Sequence, residues 1–379
     1  MEIVIDGVIY QRQSHGGISR LYTEILPRMC EMDENLQIMV LTDGPLKQSL
    51  PVHSRITPIK APPIKHTLQA SGVWRFIPFP IRNLGRKLWY NLRSLWIDQR
   101  KDVIWHSTYY TLPSFWSGSQ VVTVHDMIHE RFPDLYNEPL DDLARQQKRR
   151  CIHEADVVIC VSEATRRDVQ SFYSVDASSI KVIPNACSNV FRQIEHRDDD
   201  LFAPTSQPFL LYVGKRGRYK SFDGLIQAYS VWPRCKEVAL VVVGEPWSPA
   251  EKERLNHLGV QEQIFLLSGI NDEALSHLYN RAAAYVCPSL YEGFGIPLLE
   301  AMSCGCPIVA SLIPSTIEVA GDYPFYFELF ETESLLAAFD IALEEGQNPH
   351  RLQLGLERVK QFSWEETARK TLEVYYDLQ

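Results

Sequence analysis

The sequence contains no apolar run approaching the roughly 20 residues that cross a bilayer, so no spanning helix is expected. Its 8 cysteines include no C-x-x-C pair. Cys304 and Cys306 flank a single glycine, and no His/Cys cluster beside them completes a zinc site. Reduced, mostly buried thiols and a cytoplasmic setting are the expectation. The start, MEIVIDGVIYQRQ, lacks a basic segment followed by an apolar one, so no secretory signal is expected there. No G-x-x-x-x-G-K-[ST] occurs, which excludes a P-loop, and no G-x-G-x-x-G follows a strand, which excludes the dinucleotide fingerprint. Internal repeats and low-complexity tracts are absent. Positive charge is in deficit: 38 Lys and Arg against 47 Asp and Glu give a net charge of -9. That balance argues against general nucleic-acid binding.

What remains is an ordinary globular composition, 45% hydrophobic and 22% charged, in 379 residues. The length exceeds one ordinary hydrophobic core and predicts two domains. Short apolar runs alternate with amphipathic stretches of helical length. Strands are expected at Glu2–Ile5, Gln37–Leu41, Val103–His106, Val121–His125, Val157–Val161 and Ile180–Ile183, then at Phe209–Val213, Val238–Val243, Ile264–Leu267, Ala284–Cys287 and Pro307–Ala310. Helices are expected at Ile18–Cys30, Asp141–Glu154, Glu163–Phe172, Phe222–Val231, Asp272–Arg281 and Pro297–Ser303. Continuous Val/Ile/Leu runs suggest strands buried on both faces, and their alternation with helices implies parallel sheets. The polar stretch Gln193–Pro208 has no periodicity and reads as an interdomain linker. The fold class is therefore α/β: two doubly wound, Rossmann-like domains, 1–195 and 209–361, around a linker at 196–208. Ligands of such sheets sit outside the carboxyl ends of the strands, so two facing domains imply a central cleft.

The carboxyl-end loops carry the chemistry. After Ala284–Cys287 comes YEGFGIPLLEAMSCGCP, in which Glu292 and Glu300 bracket Gly293, Phe294 and Gly295. Pro297 suits the first turn of a helix, and Gly305 its end. Amides at such a helix start carry partial positive charge and suit phosphate or hydroxyl oxygens. Glu300 can accept bonds from a diol, or it can simply compensate the helix dipole. After Phe209–Val213, four cations crowd into six positions (Lys215, Arg216, Arg218, Lys220), with Ser221 as an expected helix cap. The run fits a diphosphate clamp or a solvated basic turn. In the first half, Ser14-His15-Gly16-Gly17 is either an anion cradle or a tight turn. His125, followed by Asp126, has the address of a ligand-facing side chain, and His106 has a weaker form of it.

Taken together these residues resemble the family-4 glycosyltransferases, the retaining GT-B group that uses nucleotide sugars. The resemblance covers essentially the whole chain. Its most specific element is E-x7-E, Glu292 to Glu300, followed by Ala301-Met302 and Gly305. Supporting it are His15-Gly16-Gly17-Ile18-Ser19-Arg20, Val124-His125-Asp126, Val161-Ser162-Glu163, Ile183-Pro184-Asn185, Gly214 with Lys220, and Phe362-Ser363-Trp364-Glu365. That last segment is similar to the family's final helix, which implies that 362–379 crosses back to the first domain. The resemblance implies that Glu300 binds the ribose hydroxyls. Glu292, with the amides of Gly293, Phe294, Gly295 and neighbouring Ile296, would hold the transferred sugar. Lys220, with Lys215 or Arg216, would neutralise the diphosphate beside Gly214. Gly16 and Gly17 would approach that diphosphate from the other domain, and His125 would contact the sugar near its reacting carbon. Gly269 and Ile270 would lie near the base. Many relatives place an arginine directly after the glycine matching Gly214, where this chain has Lys215.

The implied activity is transfer of a hexose from a nucleotide-diphosphate sugar to a glycan or lipid-linked acceptor, without metal or other cofactor. UDP-glucose is the favoured donor, with GDP-mannose next. A metal-dependent enzyme would need an Asp-x-Asp after a strand, whereas Asp198-Asp199-Asp200 falls in the linker. An epimerase or phosphorylase of the same fold, or a silent nucleotide-sugar-binding module, are the alternatives that a product assay separates. Residues 75–101 carry seven cations against one acid. Leu84, Leu88, Leu92, Leu95 and Trp96 form one helical stripe there. This is either a peripheral contact with the inner face of an anionic membrane or a core-packed helix with a basic edge.

Overall fold

The computed structural model describes residues 1–14, 16–61, 102–113, 116–194 and 204–379, the side chain of Arg218 excepted. His15, the basic stretch 75–101 and Asp198–Asp200 lie outside the described residues. The chain forms two compact units, 1–185 with 364–379, and 186–363. The division after Asn185 comes ahead of the 196–208 segment expected as a linker. Residues 186–194 pack on the second unit: the Asn280 side chain donates to the Arg192 carbonyl and accepts the Ile194 amide, both at 2.9 Å.

The first unit holds a parallel sheet of β1 (Glu2–Asp6), β2 (Gln37–Thr42), β3 (Ile56–Lys60), β4 (Val103–Ser107), β5 (Gln120–Val124), β6 (Val157–Cys160) and β7 (Ile180–Val182), in the order β3-β2-β1-β4-β5-β6-β7. The second unit repeats the plan with β8 (Phe209–Val213), β9 (Ala239–Val243), β10 (Ile264–Leu267), β11 (Ala284–Cys287), β12 (Ile308–Ser311) and β13 (Phe325–Phe327), ordered β10-β9-β8-β11-β12-β13. Both are doubly wound, and both reverse direction next to their first strand, between β1 and β4 and between β8 and β11. A crevice at the carboxyl ends of the strands opens at such a reversal.

The apolar runs behave as their composition dictates. In β8, Leu210 and Tyr212 join the core made by the helices Phe222–Val231 and Thr332–Glu345. Phe209 and Leu211, on the opposite face, are equally buried. Each such side chain contributes about 1.5–3 kcal/mol of transfer free energy, which a half-polar strand could not supply. The sequence pattern misses β3 and β13, and both are edge strands. Pro58 within β3 cannot donate to a ladder, which confines such a strand to an edge; β13 is only three residues long.

The helix Trp364–Tyr376 belongs to the first unit and packs on the helix Gly17–Met32. Thr367 Oγ1 donates to the Pro184 carbonyl at 2.7 Å, and Arg28 Nε to Glu365 Oε1 at 2.9 Å. Among the described residues no helix is long and apolar enough to cross a membrane.

Candidate active site

In the second unit the reversal between β8 and β11 is flanked by the two loops that the sequence singled out. They are tied together: the Leu290 amide donates to the Tyr219 carbonyl at 2.7 Å. Lys220 Nζ donates to Glu292 Oε1 at 2.5 Å, and Ser289 Oγ donates to the same oxygen at 2.6 Å. Ser289 is fixed in turn, its carbonyl accepting from Ser311 Oγ at 2.6 Å, at the end of β12. The pair stays partly open to solvent, with 21% of the Lys220 side chain and 12% of that of Glu292 exposed. Burial alone would depress the Lys220 pKa, but the Glu292 carboxylate outweighs it and the net shift is upward. The ammonium therefore stays cationic.

The helix Ile296–Ser303 begins directly after this loop. Gly295 precedes it at φ +100°, and a Cβ there would stand 2.9 Å from Leu298 Cδ1. Only glycine fits, and it turns the chain so that the helix start follows Glu292 within four residues. Phe294 is buried and packs edge-on against Phe362, ring centroids 5.7 Å apart, anchoring the loop from inside. Glu300 is 5% exposed and accepts the Tyr279 hydroxyl at 3.2 Å. Gly305 lies past the helix at φ +67°, where the Cys306 amide closes on the Ala301 carbonyl at 2.9 Å. Pro297 is the second residue of this helix, one place later than expected.

The basic loop after β8 is less uniform than its sequence. Gly214 is left-handed at φ +128°, with nothing within 4 Å of where a Cβ would stand, so its backbone is open to a ligand. The Lys215 side chain is exposed, while its carbonyl accepts the Tyr212 hydroxyl at 2.7 Å. Arg216 is committed elsewhere. Its Nε donates to Glu251 Oε1 at 2.6 Å, and its guanidinium lies 4.4 Å from the Trp247 ring centre. Those hydrogen bonds hold the Glu251 carboxyl down to about 2. Arg216 Nη1 is buried without a hydrogen-bond partner. It would stand 2.9 Å from a Cβ on Gly244, at the end of β9. Ser221, expected to cap the next helix, makes no capping bond: its backbone is left-handed at φ +50°, and an N-cap needs an extended one. Gly269 and Ile270 follow β10; Gly269 is exposed and Ile270 partly buried.

In the first unit, His125 directly follows β5, its imidazole Nε2 3.1 Å from the Thr108 carbonyl. Only an N–H can serve a carbonyl, so the Nδ1 lone pair is left as the acceptor. Burial pushes the imidazole down to about 4, so it is neutral at physiological pH. His106 is structural: both ring nitrogens are occupied, by the Tyr375 hydroxyl at 2.5 Å and Thr123 Oγ1 at 2.8 Å. Gly16 caps the helix Gly17–Met32 in an extended conformation. The Gln13 side-chain oxygen covers the Ser19 amide at 3.4 Å, so an anion arriving at this helix start meets Gln13 first.

Two family profiles divide the chain between them: glycosyltransferase family 4 over residues 15–188, and the glycosyl transferases of group 1 over residues 193–355. The chain belongs to glycosyltransferase family 4. Among curated family-4 relatives, O-antigen chain mannosyltransferase B of Escherichia coli is 28% identical over 327 residues, covering 82% of this chain and 85% of that one. O-antigen chain mannosyltransferase RfbU of Salmonella typhimurium is 27% identical over 222 residues, 58% of this chain and 59% of its own. Among solved structures, WaaG, a glycosyltransferase involved in lipopolysaccharide biosynthesis, matches with TM-score 0.75 at 17% identity over 99% of each chain, which establishes the GT-B fold.

Sequence reasoning does not find the residues that hold Glu292 and Glu300 in place. Ser289, Ser311 and Tyr279 are ordinary strand-end and helix residues until the chain folds. Lys148 carries a readable signal: it lies four residues before Ile152, in phase with the buried stripe of the helix Pro139–Glu154.

Proposed function

We propose that the protein transfers mannose from GDP-mannose to a carbohydrate acceptor, with retention at the anomeric carbon and without a metal ion. UDP-glucose, the donor favoured on sequence alone, gives way because the two curated relatives above are both mannosyltransferases. The observation that carries the reading is the Lys220–Glu292 pair at the β8/β11 reversal, immediately before the amides that open the helix Ile296–Ser303.

Breaking the anomeric bond builds positive charge on the sugar and negative charge on the departing diphosphate. Lys220, already cationic, meets that negative charge without reorganisation, and the Gly214 backbone lets the phosphates approach. Glu292, held by Ser289, accepts the sugar hydroxyls, and the amides of Gly293, Phe294 and Gly295 add donors. Glu300, in the first turns of the helix, accepts the ribose hydroxyls while keeping its bond to Tyr279. His125 offers Nδ1 to a sugar hydroxyl as a neutral acceptor. The acceptor oxygen then enters on the face the diphosphate leaves, and the diphosphate takes its proton. No covalent nucleophile is assigned.

The test pairs binding with turnover. GDP and GDP-mannose should raise the melting temperature more than UDP and UDP-glucose, since a ligand that binds only the folded state stabilises it by mass action. Release of GDP from GDP-mannose should persist in excess EDTA. Faster turnover of UDP-glucose would reverse the donor assignment, and activity lost to EDTA and restored by magnesium would overturn metal independence.

A further inference from the structure

Lys148 has 1% of its side chain exposed. A buried ammonium costs several kcal/mol unless it is paired and hydrogen-bonded, and an apolar side chain of similar volume would fill the space at no such cost. Its contacts are specific. Nζ donates to Glu130 Oε2 at 2.8 Å and to the Asp126 carbonyl at 3.0 Å, and stands 3.7 Å from Asp126 Oδ1. It also lies 5.2 Å from the centre of the Tyr110 ring. The other Glu130 oxygen accepts the Tyr173 hydroxyl at 2.7 Å. Tyr110 completes the arrangement, because its hydroxyl accepts the backbone N–H of His125 at 3.3 Å. Tyr110 is itself left-handed, at φ +57°, a conformation that bulky residues keep only where the surroundings hold it.

Lys148 thus grips the residue after His125 through its carbonyl, and braces the ring whose hydroxyl holds the His125 amide. We propose that Lys148 is a positioning residue for His125, clamping the His125–Asp126 turn through the Asp126 carbonyl and the Tyr110 ring. This rests on the role given to His125 above. The groups facing His125 are Asp126 on its own turn, Lys148 from the helix Pro139–Glu154, Tyr22 from the helix Gly17–Met32, Tyr110 after β4 and His106 on β4. Burial is the main cause of the low His125 pKa. Lys148 lowers it further, against the Thr108 carbonyl and Asp126, which raise it. His106 is also neutral, pushed down to about 3 by burial and by His125.

The test uses the whole protein, with GDP-mannose turned over to GDP as the kinetic readout and imidazole NMR, assigned by difference from H125A, as the electrostatic one. K148M should raise the His125 pKa, since the Lys148 charge lowers it. It should lower kcat roughly 10- to 100-fold, as a misplaced reactive group does, with little change in KM. K148R should keep the low pKa and recover part of kcat. If K148M does not fold because Glu130 is left unpaired, E130Q/K148M removes both charges and carries the same expectation. A folded double variant with wild-type kcat and an unmoved His125 titration overturns the proposal, provided H125A is itself impaired. Wild-type turnover in H125A would instead remove the role of His125, and this inference with it.

Discussion

Each unit places a lysine–glutamate pair at the carboxyl end of its sheet, and the two pairs are built oppositely. Lys148–Glu130 is sealed, with 1% and 5% of the side chains exposed and its partners Asp126, Tyr110 and Tyr173 all internal to the first unit. Lys220–Glu292 is left ajar, 21% and 12% exposed, beside Gly214, where nothing stands within 4 Å of a Cβ. A sealed pair fixes geometry and a local field but has nothing left to offer a ligand. An open pair contributes less to the fold and keeps its charges available. A buried lysine–glutamate bond and a partly open one therefore announce different work, although the sequence writes both with the same residue types.

Breaking the sealed pair should have the largest effect. E130Q leaves the buried ammonium with only the more distant Asp126 carboxylate, 3.7 Å away, and should cost about 3 kcal/mol of unfolding free energy, read from urea denaturation. Breaking the open pair should spare the fold and strike the chemistry. K220A should lower GDP-mannose turnover by about 100- to 1000-fold, the loss typical of one preorganised charge-stabilising donor, while the denaturation midpoint moves little. A comparable stability loss in both variants would erase the distinction. E300A should act on binding: donor affinity, followed by calorimetry with GDP-mannose, should fall roughly 10-fold, the worth of one charged hydrogen bond, with kcat changed less than in E292A.

The smallest effect belongs to the Arg216–Glu251 pair and appears only on a pH axis. The folded Glu251 pKa lies below its ordinary 4.5, at about 2. Its stabilising contribution is therefore complete above pH 4.5 and is lost as pH falls towards 2. E251Q should melt below the wild type at neutral pH, and the two melting curves should converge between pH 4.5 and 2. A constant gap across that range would show that the carboxylate charge is not what matters.

The fold was legible wherever burial dictates composition. Central strands such as β8 and β9 must be apolar on both faces, and they announced themselves, while the edge strands β3 and β13 escaped that demand and the pattern. The helix Pro249–Leu258 buries only Leu255, so it has little apolar stripe to read. Its Ser248/Glu251 capping box was the better signal. Of the candidate residues, Glu292, Glu300, Lys220 and His125 were visible because they sit on motifs. Arg216 and Lys215 looked equivalent in the sequence, and only the fold divides them, one bound to Glu251 and stacked on Trp247, the other facing solvent. His106 and His125 shared an address, and what separates them is the Tyr375 hydroxyl, more than two hundred residues away in the chain.

That hydroxyl belongs to a helix with a consequence for how the protein is made. The first sheet is nearly all synthesised before Asn185, yet Trp364–Tyr376, which covers its His106, follows only after the whole second unit. At ordinary translation rates the ribosome needs on the order of ten seconds or more to bridge that gap. The second unit is continuous in sequence and can close as it emerges. The half made first must therefore finish last, when Trp364–Tyr376 packs onto the helix Gly17–Met32.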